Sequence, residues 1–194
     1  MGNIILLDNG HGIDTAGKCS PDGRLREYEF NRLLARRIGD GLTSEGLDWC
    51  FVVPEDFDVG LGERCRRVNR MAAGSGAVLL SLHVNASGNG GWGKPNGWSV
   101  FVAPKASGRS CCLANCLYME AKDCGLLGDR HTPDCGFWRG NFAVLRDTVC
   151  PAVLTENMFM DNARDLEFLL SGEGLELLSR IHIAGIKNYL GLVR

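Results

Sequence analysis

Residues 77–84 read AVLLSLHV, an apolar run broken only by Ser81 and, near its end, His83. A continuous run of this kind marks a strand covered on both faces, and such strands belong to parallel sheets whose connections are helices. The segments on either side fit that reading. Residues 3–8 make a first strand, and Phe30, Leu34, Ile38 and Leu42 recur at helical spacing from about Glu27 to Thr43. WCFVV at 49–53 is a strand closed by Pro54, and a helix follows from Leu61 to Ala73. A long glycine-rich loop then leads to the strand WSVFVA, a helix over about 108–122 and an irregular region ending in FAVLR. AVLTE at 152–156 is another strand. Asn162 with Asp165 three positions on is a capping-box start, and a last helix spans about 174–190. Strands alternating with helices predict an α/β fold: one three-layer domain, a mostly parallel twisted sheet with helices on both faces, and strand exits gathered into one cleft. Without repeat or linker, 1–194 reads as a single domain.

The bulk numbers exclude several classes of function. With 194 residues, 45% hydrophobic, the chain holds one good core. A net charge of −2 leaves no broad positive field for nucleic acid, and the apolar runs fall far short of the roughly 18 residues that insert in a membrane. Arg64, Arg66, Arg67 and Arg70 alternate with Leu61, Cys65, Val68 and Ala72, so they read as a solvated helix face. Nine cysteines cannot all pair within the chain, and the N-terminus shows no secretory signal, so reduced thiols are expected. Cys112 and Cys116 share a helix face, but Cys111, Cys124 and Cys135 complete no zinc-binding spacing. Apolar packing is the expected role of these thiols.

Chemistry gathers where strands end. LLDNGHGIDT (6–15) fixes His11 between two glycines just past the first strand, LSLHVN puts His83 near the end of a second, and VLTEN puts Glu156 at the end of a third. LREYEFN places Glu27 and Glu29 where a loop becomes a helix. In a parallel sheet these side chains converge on one rim. Two imidazoles and a carboxylate suit one catalytic zinc ion, because three protein ligands leave a fourth tetrahedral position open. A second carboxylate outside that set can take a proton from water and pass it to a leaving amine, which is the minimum for amide hydrolysis. Singly, each residue also has a structural reading, such as a core histidine or a helix-start acid. Coincidence of all four is the stronger signal.

LDNGHGIDT, EYEFN, SLHVNA and VLRDTVCPAVLTENMFMDNARDLEFL, in that order and across nearly the whole chain, resemble the zinc-dependent N-acetylmuramoyl-L-alanine amidases of the third amidase family. The resemblance implies a six-stranded sheet, one Zn2+, and hydrolysis of the peptidoglycan amide between the lactyl group of N-acetylmuramic acid and L-alanine. It implies His11, Glu27 and His83 as metal ligands, with Glu29 as the alternative to Glu27, and Glu156 as the catalytic glutamate. Phe159 and Asn162 match the residues that follow that glutamate. The chain departs from the pattern at Asn9, where proline is usual, and at Met158, where a glycine commonly follows the glutamate by two.

The resemblance carries further expectations. The partner is peptidoglycan or a muropeptide, with no separate cell-wall-binding module, and a monomer is expected. Action is on the wall, in the periplasm or outside the cell, after release as a phage-type lysin or export by a signal not in this chain. Rival readings are a zinc peptidase or amidase on other wall peptides, a peptidoglycan-binding domain without catalysis, and a structural zinc protein organised by its cysteines. Asp8 and Asn85 are candidates to hydrogen-bond a ligand imidazole. His131 reads first as a loop histidine. Trp92, Trp98 and Trp138 are as suited to packing as to stacking on sugar, and His182 is assigned no chemistry.

Overall fold

The computed structural model describes residues 3–88, 90–130 and 135–192. The elements in chain order are β1 Ile4–Asn9, α1 Glu27–Ser44, β2 Asp48–Phe51, α2 Leu61–Ala72, β3 Val78–Asn85, β4 Ser99–Val102, α3 Gly108–Asp123, β5 Trp138–Arg139, α4 Ala143–Arg146, β6 Ala152–Phe159, α5 Ala163–Leu170 and α6 Gly172–Tyr189. They build a six-stranded sheet in the order β2-β1-β3-β6-β4-β5. β2, β1, β3 and β6 run parallel, and β4 pairs antiparallel with β6 while β5 follows β4.

The reversal of β4 has a simple cause. No helix lies between β3 and β4 to carry the chain back across the sheet, so β4 starts at the end where β3 finishes and must run the other way. The loop that makes this turn is held by Asp161, whose Oδ2 accepts the Ser87 N–H at 2.7 Å and whose carbonyl accepts the Gly93 N–H at 2.7 Å.

Alternation along the strands divides the core into two layers. Ile5, Leu7, Val78, Leu80, Leu82 and Val153 face α1, α3, α5 and α6, whereas Leu6, Leu79, Ala152 and Leu154 face α2 and the short α4. Asp8, Ser81, His83 and Glu156 continue the second set, so they emerge on the face with the lighter cover. Among the described residues no helix is long and apolar enough to cross a membrane.

Local details refine the sequence reading. FAVLR contains α4, and α6 begins at Gly172 because Ser171 caps it by accepting the Gly174 N–H. Asn162 caps α5 as expected, but Asp165 does not close the reciprocal half of the box. Its Oδ2 instead accepts the N–H groups of Gly97 and Phe159, tying the ends of β4 and β6 to α5.

The arginine reading needs correction. Arg66 and Arg70 are exposed, but Arg64 is 2% exposed, on the buried side of α2 beside Cys65 and Val68. Its guanidinium bonds Asp8 Oδ1 at 2.7 Å, Asp58 Oδ1 at 3.0 Å and the carbonyls of Asn9 and Val59 at 2.9 and 2.7 Å. Helical spacing shows which residues share a face, and a buried carboxylate opposite that face decided which arginine turned inward. Removing one partner of such a pair leaves a buried charge without its counter-ion. Arg64→Met is therefore expected to lower unfolding free energy by about 3–5 kcal/mol in urea titrations, and adding Asp8→Asn to return part of that loss.

Candidate metal centre and active site

The ends of β1 and β3 and the start of α1 bring His11, Glu27 and His83 together, with one donor atom from each lying within 4.8 Å of the others. Glu27 Oε1 is 3.4 Å from His11 Nε2 and 3.1 Å from His83 Nδ1, and the two rings meet edge to face at 5.1 Å. Glu29, one residue past Tyr28, is exposed and accepts from the Tyr28 hydroxyl, so the structure brings Glu27 rather than Glu29 to the imidazoles.

The glycines beside His11 serve close approach. A Cβ on Gly10 would lie 2.2 Å from the His83 ring, and one on Gly12 would lie 2.0 Å from the Asp58 nitrogen. The left-handed turn falls on His11 itself, with φ 64°. That conformation costs a residue with a Cβ about 1–2 kcal/mol, and it is held by bonds to successive carbonyls. Asn31 Nδ2 donates to Gly10 O at 3.2 Å, and Arg32 Nη1 and Arg64 Nη2 donate to His11 O at 3.0 and 3.4 Å.

Glu156 faces His83 directly across the β3–β6 pair. Burial pushes its carboxyl up to about 7; the His83 imidazole opposes this, and the Glu27 carboxylate adds repulsion. For Glu27, burial also raises the pKa, but hydrogen bonds to His11 and His83 outweigh it and hold the carboxyl well below the usual carboxylate range. His83 is shifted upward, its burial overcome by the hydrogen bond and charge of Glu27. One oxygen each of Glu27 and Glu156 is buried with no hydrogen-bond partner. Two imidazole nitrogens, a carboxylate oxygen and a spare buried carboxylate oxygen make a donor set that fits a zinc ion.

The profile of the family described as Amidase_3, N-acetylmuramoyl-L-alanine amidase, matches residues 5–188. The chain belongs to that amidase family. It is 28% identical over 200 residues to an endolysin of Bacillus phage SPP1, spanning 99% of this chain and 68% of the relative. The N-acetylmuramoyl-L-alanine amidase CwlM of Bacillus licheniformis is also 28% identical, over 97% of this chain and 69% of the relative. The crystal structure of N-acetylmuramoyl-L-alanine amidase from Clostridium difficile 630 shares the fold with a TM-score of 0.84 at 23% identity, covering 98% of this chain and 97% of that one.

Within this amidase fold, the segment after Glu156 shows how the departure at Met158 is accommodated. Register slips between His83 and Asn85, where the partners are Glu156 and Phe159, so β6 carries an extra residue. Met158 takes φ 66° at that bulge and keeps its side chain in the core, 8% exposed. Asn157, fully buried, bridges the strands by donating from Nδ2 to the His83 carbonyl at 2.9 Å. Its Oδ1 accepts from Trp98 Nε1 at 3.0 Å, and Nδ2 also reaches Thr155 Oγ1, which lies 3.1 Å from His182 Nε2. Burial pushes the His182 pKa down to about 4, consistent with a neutral ring donating from Nδ1 to Leu178 O and accepting from Thr155.

Several expectations resolve differently. Asp8 is taken up by Arg64 and by the Ser81 hydroxyl, and Asn85 Oδ1 accepts the Ala86 N–H, so the structure shows neither bonded to an imidazole. Trp98 is buried, Trp138 is half-buried in β5, and Trp92 is exposed. His131 lies outside the described residues. The nine cysteines are free. Cys65 is buried, Cys111 and Cys124 pack against one core layer, and Cys50 and Cys150 against the other. The metal-competent cluster among the described residues contains no cysteine. Asn31 and Asn157 close the EYEFN and VLTEN motifs, but sequence alone assigned neither a partner, because each bonds a carbonyl distant in the chain.

Two outcomes follow from this geometry. Met158→Gly relieves about 1–2 kcal/mol of backbone strain but deletes a buried side chain worth about 2–5 kcal/mol, so chemical denaturation should show net destabilisation. For Glu156, the native state keeps its proton up to about pH 7 whereas the unfolded chain releases it near 4.5. Raising pH through that window therefore removes stability. In chelator-treated protein, wild type relative to Glu156→Gln should lose on the order of 2 kcal/mol between those limits, read from unfolding midpoints at a series of pH values.

Proposed function

We propose that this chain hydrolyses the amide joining the lactyl group of N-acetylmuramic acid to L-alanine in peptidoglycan, using one zinc ion held by His11, Glu27 and His83. The observation that carries the reading is the convergence of those three donors with Glu156 opposite His83, in a chain of this amidase family. Zinc, when bound, supplies positive charge that brings the pKa of water to about 7 and polarises a carbonyl oxygen.

The chain's own residues do the rest. Glu27 adds the negative charge that completes the donor set, and the bonds to Gly10 O and His11 O keep the His11 backbone in its left-handed turn. Glu156 takes a proton from the attacking water at its carboxylate oxygen and returns it to the alanine nitrogen as the C–N bond breaks. Burial, which favours the neutral carboxyl, helps Glu156 hold the proton that it must return, since one group must act as base and then as acid. Apolar walls from Phe142, Ala143, Val144 and Leu154 limit water around it.

The substrate sets the place of action: the wall lies outside the cytoplasmic membrane. Release as a lysin would match the SPP1 endolysin, and action at the wall would match the probable cell wall amidase LytH of Staphylococcus aureus.

Digestion of purified peptidoglycan should expose new alanine amino termini, stop with chelator and resume with added zinc. Glu156→Gln should retain about one zinc per chain yet lose about 10²–10⁴-fold in kcat, whereas His83→Ala should lose the metal. A digest yielding no new alanine termini from zinc-loaded protein would refute the proposal.

A further inference from the structure

We propose that Lys18 is a specificity-determining residue that binds a carboxylate on the peptide side of the scissile amide, so that the enzyme selects acidic peptides. The inference rests on the amide hydrolysis proposed above.

The cleft over the donor cluster has a volume of about 520 Å³ and is lined by two cations, Arg64 and Lys18. Arg64 is committed to Asp8, Asp58 and backbone carbonyls, as described above, and has little left to offer a ligand. Lys18 is different. Its backbone is anchored, because its carbonyl accepts the Glu27 N–H at 2.9 Å and the next residue, Cys19, bridges to Arg26. The side chain thus rises from a fixed point beside the metal-competent carboxylate. Its Nζ forms a loose ion pair with Glu27 Oε2 at 3.9 Å, too far for a hydrogen bond, and the side chain is 42% exposed to solvent. An ammonium held there keeps its donors for something that enters.

Substrate chemistry identifies what that is. The lactyl carboxyl is consumed in the amide to be cut and the sugar amines are acetylated, so negative charge near the scissile bond must come from the peptide. At about 3.5 Å per extended residue, the residue after alanine falls within reach of a cation so close to the donor cluster. A hydrogen bond between ammonium and carboxylate is charge-assisted and stronger than one to a neutral amide.

The test uses two muramoyl-alanyl peptides that differ only in whether the residue after alanine is glutamate, with a free side-chain carboxylate, or glutamine, with a primary carboxamide. Zinc-loaded wild type should favour the carboxylate peptide by about tenfold in kcat/KM, mainly through KM, and Lys18→Met should bring that ratio close to one. Calorimetric binding in a Glu156→Gln background should show the same loss of preference, with zinc content unchanged by Lys18→Met. Equal losses on both peptides, or loss of zinc, would show that Lys18 merely supports Glu27 and overturn the proposal; an unaltered ratio would overturn it too. If wild type cleaves neither peptide, the hydrolysis reading fails by itself, while the binding comparison still decides the role of Lys18.

Discussion

Side chains alternate across a β-strand, and on β1, β3 and β6 that alternation sends Asp8, His83 and Glu156 to the same face at the same end of the sheet. Everything else in the active region depends on this parity. The opposite face is covered by α1, α3, α5 and α6, which carry the larger core layer. On the side of α2 and the short α4 the cover is incomplete, and the polar strand ends open into a cleft. A slip of one residue in any of these strands would bury the donor against a helix and expose its apolar neighbour.

Two polar networks stiffen the rim from opposite faces. On the cleft side, Arg64 joins Asp8 to the backbone of Asn9 and His11, while Asp8 also takes the Ser81 hydroxyl. On the core side, Asn157 ties the β6 bulge to the His83 carbonyl and to Trp98, with Thr155 and His182 behind it. Their side chains Asp8, Arg64, Ser81, Thr155, Asn157 and His182 are buried, where an unmatched group would be costly, so each network admits one arrangement of donors and acceptors. That uniqueness fixes the strand ends to which His11, His83 and Glu156 are attached. The bulge itself is held open by a methionine in a left-handed conformation, a strain that its burial in the core offsets.

Electrostatics at the site follow from unequal exposure to charge. Glu27 is buried but flanked by two imidazoles, so its ionised form is favoured. Glu156 is half-buried, with one carboxyl oxygen shut off from solvent, less compensation and Glu27 nearby, so its neutral form is favoured up to near pH 7. Two carboxylates of the same chemical type are thereby driven to different protonation states, one suited to hold a cation and the other to carry a proton.

The sequence by itself determined the α/β class and the strand and helix order around AVLLSLHV, and it marked His11, His83, Glu156 and a helix-start glutamate as the polar residues at the strand-end rim, because apolar periodicity and strand-end polarity are local properties that survive without coordinates. It left Glu27 and Glu29 in competition on chemical grounds, since both stand at the same helix start; the direction in which α1 leaves its first residue decided between them. It misread Arg64 as solvated, because helical spacing cannot report a carboxylate buried on a strand 56 residues away in sequence. It gave no partner to Asn31, Asn157 or Lys18, whose contacts lie across the fold. Only tertiary structure decided those matters, for the physical reason that burial and long-range partners, rather than residue type, set whether a polar side chain is solvated, structural or free to meet a ligand.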